Sequence, residues 1–268
     1  IRSFVIHQFV ADDDRLTRGG PVVKDDGYTF GHVQLSTDPR QIAVCDIAVR
    51  TARGLNESAP MFEVQPGLAL KPMSSLYIQL APAYRDSESS AQYVTTVADP
   101  TAVAFGGNRY VFAYLRTRTL SLETRVNWTF TPNLTLQLFA QPFLASGDYQ
   151  RFREFAAPRT IRKLDYGRDL GTIARNAAAT SYTLDPDGAG PAASFALANP
   201  NFSARSLRGT AVLRWEYRPG STVYFAWTQQ RSGAGPEGSL DFSRDQAALL
   251  RDPADNVFLI KVNYWLGR

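Results

Sequence analysis

Cysteine is almost missing from this chain: Cys45 is the only one in 268 residues. A single thiol excludes an internal disulfide framework and any CxxC or Cys/His zinc module. In its alternating segment Cys45 reads as a small strand residue. Histidine is nearly as scarce, limited to His7 and His32, and neither stands in a motif that joins it to a nucleophile and an orienting acid. No GxSxG, P-loop or HExxH occurs, so neither an enzymatic activity nor a cofactor is expected. No window approaches the ~18 consecutive apolar residues of a spanning helix. No block of about five or six like charges suggests a nucleic-acid arm. The 29 basic and 25 acidic residues are dispersed and leave a net charge of +4, so nucleic acid is not an expected partner.

What the chain has is alternation. Its content is 44% hydrophobic and 12% aromatic at a mean hydropathy of −0.24, too apolar for disorder and too polar for a bundle of membrane helices. The clearest segment is TLSLETRVNWTF, which puts Leu120, Leu122, Thr124, Val126, Trp128 and Phe130 on one face and Ser121, Glu123, Arg125, Asn127 and Thr129 on the other. The same period runs through SLYIQLAPAYR, LTLQLFAQPF, LRGTAVLRWEYR and the terminal NVFLIKVNYWLGR. One face is suited to oil and the other to water.

The connections alternate as well. Tight reversals rich in Pro, Gly and Asn (DPR at 38–40, KPMS at 71–74, TPN at 131–133 and RPGS at 218–221) take turns with long polar loops over 11–26, 54–60, 147–203 and 232–255. Short turns on one side and long loops on the other are the layout of an outer-membrane barrel. The fold expected is therefore all-β: an antiparallel transmembrane β-barrel with about twelve strands in this chain, at 1–10, 27–38, 41–52, 60–70, 75–86, 91–98, 108–116, 119–131, 134–146, 204–218, 221–232 and 256–266. One barrel domain would span 1–268, with a long extracellular insertion at 147–203 that holds a short hairpin or a helical turn.

The competing fold is a soluble β-sandwich, which also alternates. Two features weigh against it. Charges sit inside strands on the polar face, giving a lumen-facing set of Arg85, Glu123, Arg125, Arg208, Arg214, Glu216 and Lys261. Aromatics end the apolar face on the short-turn side (Trp128, Phe130, Trp215, Tyr217 and Tyr264), as an interfacial girdle would. The lumen charges are read as bracing across neighbouring strands, with a passage for anionic or sugar-like solutes as the functional alternative.

Two loops hold weaker candidates. LDPDGAG places Asp185 and Asp187 at a spacing that lets carboxylates converge on a hard cation, but no further acidic ligand follows, and an ordinary turn is favoured. TRGGP at 17–21 frees the backbone with two glycines, which lets Arg18 reach a rim carboxylate; a structural corner is favoured there too.

Several stretches resemble a bacterial family of outer-membrane proteins in which a family 9 carbohydrate-binding-like domain precedes a C-terminal barrel domain of unknown function. They are DRLTRGGP (14–21), LSTDPR (35–40), AQYVTTVADPTA (91–102), NWTFTPNLTLQLFAQPFLASGDYQRFREFA (127–156), SLRGTAVLRWEYRPGSTVYFAWTQQRSG (206–233) and DNVFLIKVNYWL (255–266). The resemblance implies that this chain is the C-terminal part of a larger barrel, without the sugar-binding-like module, and it supplies no catalytic residue. A sequence that starts at Ile1 inside an apolar run is likewise expected to be a fragment. The terminal strand resembles the assembly signal of outer-membrane barrels, with Leu266, Gly267 and Arg268 in place of the usual terminal aromatic and Trp265 on the inward face. The partners expected are the outer-membrane lipid bilayer, the barrel-assembly machinery, and a saccharide or other envelope proteins. The expected roles are solute or saccharide passage or a surface-binding platform, with structural docking as the alternative and an outer-membrane hydrolase using His32 less favoured.

Overall fold

The computed structural model describes residues 1–57 and 59–267. Ser58, within the loop expected at 54–60, and Arg268, at the end of the terminal stretch, lie outside the described residues. In chain order the strands are β1 (Arg2–Gln8), β2 (Ala11–Asp13), β3 (Val23–Asp25), β4 (Tyr28–Ser36), β5 (Ala43–Gly54), β6 (Met61–Met73), β7 (Leu76–Ala98), β8 (Asn108–Thr131) and β9 (Leu134–Phe155). They continue with β10 (Lys163–Asp165), β11 (Thr172–Arg175), β12 (Ser181–Asp185), β13 (Phe195–Ala198), β14 (Phe202–Arg218), β15 (Ser221–Gly235) and β16 (Ala254–Asn263), and helix α1 (Phe242–Arg251) precedes the last.

Ten of these strands form one antiparallel meander in the order β1-β4-β5-β6-β7-β8-β9-β14-β15-β16. Each strand pairs with its neighbours through a short reversal at one end and a long connection at the other. The reversals are closed by local bonds. The Asp38 carboxylate accepts from Arg40 N at 2.9 Å. Gly220 adopts φ +74°, which a β-carbon disfavours, and its N–H donates to Glu216 Oε1 at 3.0 Å. Glu216 N in turn donates to Asn133 O at 2.7 Å, tying two short reversals together. Pro66 and Pro82 coincide with a gap in the β6–β7 ladder, between the pairs Val64↔Tyr84 and Leu68↔Leu80, so two missing N–H donors fall on one rung.

The count of about twelve strands is corrected to ten. Residues 75–86 and 91–98 are one continuous β7, and 108–116 and 119–131 are one continuous β8. The serine-rich stretch at 87–90 looks like loop chemistry, but its backbone stays in the ladder with β8, and register shifts at Ser89/Gln92 and Tyr93/Thr95 absorb the extra residues. β7, β8 and β9 are 23, 24 and 22 residues long and run well past their neighbours at the long-loop end. The insertion at 147–203 is neither a lone hairpin nor a helical turn: β9 extends into it, β10 pairs with β9, and β11, β12 and β13 form a separate three-stranded sheet. The 232–255 loop contains α1, capped by Asp241, which accepts from Arg244 N at 2.8 Å. Among the described residues β1 and β16 do not pair with each other, so the meander has two open edges.

The buried apolar clusters lie at the long-loop end, where β8 and β9 run past the rest of the meander. Val111, Ala113, Phe152, Tyr166 and Leu184 form one, packed by Ile173, Tyr182 and Phe195 of the insertion. Val23, Phe112 and Phe155 form the other, closed by Leu16 and Phe105. Elsewhere the apolar face of the meander has no second layer: Val33, Ile47, Trp128, Leu138, Trp215, Phe225 and Ile260 are all exposed. A soluble sheet buries its apolar face against another element.

Candidate functional site

The alternation read from the sequence sorts the meander into a polar and an apolar face. On the polar face Glu123 receives Arg125 Nε at 2.8 Å, and Glu216 receives Arg214 Nη2 at 2.9 Å. Both pairs lie along one strand, at a spacing of two, and not across neighbouring strands; successive residues on one face of a strand are two apart. Each carboxylate thus neutralises the adjacent arginine of its own strand, and Arg214 also bonds across the ladder to Tyr224. Across the strands Arg125 stacks instead on Phe139, 5.0 Å from the ring centroid. Arg208 stands between Gln141 and Gln230 and Lys261 beside Tyr224, with no ion pair among the described residues.

Arg85 belongs to a row that the sequence did not reveal. Phe4, His32, Arg50, Glu63 and Arg85 are paired side by side across β1, β4, β5, β6 and β7. Phe4 stacks on His32 at 4.9 Å. Arg50 Nη1 donates to Glu63 Oε1 and reaches Gln65 Oε1 at 3.4 Å. Arg85 stays 3.7 Å from Glu63 Oε2 with its side chain half exposed. Glu63 was missed because Pro66 and Gly67 break the pattern of β6; the phase of Phe62 and Val64 against Glu63 and Gln65 was the available signal, and Arg50 on β5 is marked only by its pairing with Glu63. His32 Nδ1 is buried and without a hydrogen-bond partner among the described residues.

Above this row opens a cavity of about 560 Å³, within the range of small-molecule sites, lined by Arg50, Glu63, Arg85, Phe30, Ser87 and Asp26 among others. Its outer rim is an ion cluster that joins three loops. Arg153, 1% exposed, donates to Glu57 at 2.6 and 2.7 Å and to Ser90 O at 3.1 Å. Its Nη2 lies 2.6 Å from Asp165 Oδ1 as an ion pair. Lys163 Nζ donates to Asp26 Oδ2 at 2.6 Å, which also accepts from Ser90 Oγ at 2.6 Å. Burial works to raise the Glu57 carboxyl, but the Arg153 hydrogen bond, with the charges of Arg153, Lys163 and Arg151, outweighs it and holds the group below its ordinary value. Further out, Arg109 bridges Asp99 and Glu154, and Tyr166 donates to Glu154. Burial raises the Glu154 carboxyl, only partly offset by Tyr166 and Arg109.

On the apolar face the expected girdle residues gather at the short-turn end. Trp128 and Phe130 pack at 4.3 Å, Trp215 and Tyr217 at 6.0 Å, and Arg218 Nη1 donates to Tyr264 Oη at 3.3 Å. Tyr264 stands just past the end of β16, which closes at Asn263 and not at the expected 266. At the other end the apolar row stops abruptly. After the pair Tyr84↔Leu120 come Asp86↔Arg118 and Glu88↔Arg116, with Asp86 accepting from Arg116 Nε at 2.9 Å and Arg118 Nε at 3.2 Å.

The two loop candidates are occupied locally. Asp185 Oδ1 accepts from Gly188 N at 2.9 Å and Asp187 Oδ2 from Ala192 N at 2.8 Å, so both carboxylates cap turns. Arg18, at φ +53°, lies over the Tyr93 ring at 4.4 Å and not against a carboxylate.

The sequence model of one protein family, DUF5916, described as a domain of unknown function, matches residues 15–267. No curated protein matches. Among solved structures, the siderophore receptor PiuA from Acinetobacter baumannii is similar at 8% identity and a TM-score of 0.38, over 98% of this chain and 46% of that chain. The chain thus spans less than half the length of that receptor.

Proposed function

The chain belongs to the DUF5916 family, and from that premise we propose that it is the wall of an outer-membrane β-barrel whose polar face lines a passage for polar solutes. The observation that carries this reading is the bounded apolar band on an uncovered face. From Leu120 to Phe130 the outward row is apolar but for Thr124; at ~3.4 Å per residue it runs about 34 Å, or about 24 Å of height at a strand tilt of ~45°. That is close to the ~25 Å apolar belt of transmembrane barrels. Aromatic residues bound it at the short-turn end and the Asp86, Arg116 and Arg118 charges at the other. The short turns then face the periplasm and the long loops the outside.

A wall in lipid cannot leave backbone edges unpaired, so closure of β1 and β16, with each other or with other strands, is part of the proposal. The chain is read as a non-enzyme: His32 has no hydrogen-bond partner at Nδ1 among the described residues and stacks on Phe4. The partners proposed are the outer-membrane bilayer, and the assembly machinery that recognises terminal strands.

The test is a cysteine scan along β8 in a Cys45→Ser background, each thiol carrying an environment-sensitive dye and read with lipid-borne quenchers in vesicles. Positions 120, 122 and 126 are expected to be quenched and 121, 123 and 125 spared; a profile without alternation would sink the proposal. A second reading, a docking platform without transport, draws on the packed outer unit of β10 to β13. Ion conductance in planar bilayers separates the two.

A further inference from the structure

We infer that the cavity of about 560 Å³ at the long-loop end of the polar face binds a short peptide with free termini, its ammonium at Asp26 and its carboxylate at Arg85. This rests on the proposed barrel wall, of which the cavity is the outer vestibule.

The two ends of the cavity carry opposite demands. Asp26, its side chain 8% exposed, lines the cavity. Its Oδ2 is satisfied twice, by Ser90 Oγ and Lys163 Nζ, while its Oδ1 has no partner among the described residues. A buried carboxylate oxygen without a donor is a cost that an entering N–H group removes. Asp25 lies next to it on the same lining, so an ammonium meets two carboxylates. At the far end Arg85 is half exposed and its one ionic contact is long, 3.7 Å to Glu63. Its planar donor fork is therefore open to bidentate capture of a carboxylate. Arg50 is engaged by Glu63 and Gln65 and adds positive charge without competing for the ligand. Hydroxyls of Ser87, Ser89 and Thr117 lie between the ends and suit the peptide groups of an extended ligand.

Spacing fixes the length. Ser90, which holds Asp26, is five residues along β7 from Arg85, about 16 Å at ~3.3 Å per residue. Less the reach of the arginine side chain, this leaves room for about two or three residues at ~3.5 Å each. A single amino acid is too short to satisfy both ends. A diamine would meet Arg85, a dicarboxylate would meet Asp25 and Asp26, and a neutral polyol would leave both end charges uncompensated.

The experiment is calorimetric titration of the purified chain with trialanine, N-acetyl-trialanine, trialanine amide and maltotriose. Trialanine is expected to bind, with at least tenfold loss on blocking either terminus and no heat from maltotriose. Arg85→Gln should abolish the preference for the free carboxylate and Asp26→Asn the preference for the free amine. Asp26 also holds the loops, so Arg85→Gln, outside the ion cluster, is the variant that survives a folding defect. Blocked and free peptides binding alike, maltotriose binding better, or no binding at all would overturn the peptide site. If the β8 dye profile still alternates in the same preparation, that failure belongs to the peptide site and not to the wall.

Discussion

Placing one arginine on each face of β8 weighs the two faces against each other. Val126 pairs with Ile78 and Leu138, all on the apolar face. It lies six positions from Leu120 and four from Phe130, so at ~3.4 Å per residue and ~45° tilt it sits about 14 Å below one edge of the band and about 10 Å above the other. A cation that near the midplane of a barrel's lipid face costs about 2–4 kcal/mol, falling to about 0–1 kcal/mol near an interface. Val126→Arg should therefore cost about 2–4 kcal/mol and Leu120→Arg about 0–1 kcal/mol. Asn127→Arg, between Tyr77 and Gln137 on the polar face, should stay within about 0.5 kcal/mol of the parent. The assay is guanidinium unfolding of the protein refolded into phospholipid vesicles, followed by tryptophan fluorescence. With a denaturant slope of about 4 kcal/mol per molar, Val126→Arg should lower the midpoint by about 0.5–1 M. If Asn127→Arg proved as costly as Val126→Arg, or Leu120→Arg as costly as either, the assignment of faces and of band height would be wrong.

Arg153→Met leaves Glu57 and Asp165 facing each other without their shared cation, a change worth about 3–5 kcal/mol for a buried pair; hydrogen exchange should accelerate at 54–57 and 163–166 and stay unchanged in the β14–β15 hairpin. Because the Glu57 carboxyl is held below its ordinary value of 4.5, its contribution is complete above that value and is lost as pH falls through the lowered one. Protease protection of the loop after β5 should thus persist at mildly acidic pH and vanish on stronger acidification. Glu154 is raised from the same ordinary value, so acidification stabilises its protonated, buried form; exchange protection of β10 should outlast that of the Glu57 loop as pH is lowered. Gly171 sits at φ +38° with Asp185 O only 1.7 Å from where a β-carbon would lie, and Gly171→Ala should undo the β11–β12–β13 sheet, seen as new cleavage within 171–198.

The polar and apolar rows were legible wherever alternation ran unbroken. Leu120 to Phe130 and Leu134 to Ala140 needed only their period, because every second side chain of a strand shares a face. What broke legibility was phase. The extra residues in β7 shift its register, and a period-two reading treats such a shift as an end, which split β7 in two; β8 was split at Thr117 and Arg118, where the ladder is regular and only the charges of Arg116 and Arg118 interrupt the apolar row. Glu63 was hidden for a related reason, since Pro66 and Gly67 mask the phase that pairs it with Arg50. The ion cluster could not be read at all: Asp26, Glu57 and the Arg153–Lys163 hairpin come from three distant stretches, and only the tertiary arrangement makes them neighbours. Along-strand pairing of Glu123 with Arg125 was readable, because a spacing of two puts both groups on one face regardless of the neighbour.

The chain also divides by the medium that stabilises each part. The outer unit owns its burial: Val111, Phe152 and Leu184 against the insertion, Val23, Phe112 and Phe155 against the first long loop, each cluster enclosed by protein. The band below is left largely uncovered, since Trp128, Trp215 and Phe225 stay exposed and gain cover only from a bilayer on the proposed reading. The Asp86, Arg116 and Arg118 row stands at the boundary between the two. Removing lipid should thus cost the meander far more than the outer unit, and the ion cluster, anchored in β7 and β9 above that row, would be among the last parts to sense the loss. Where β7 and β9 cross that row they are single uninterrupted strands, so a displacement of the outer loops has a continuous backbone path to the cavity wall at Arg85.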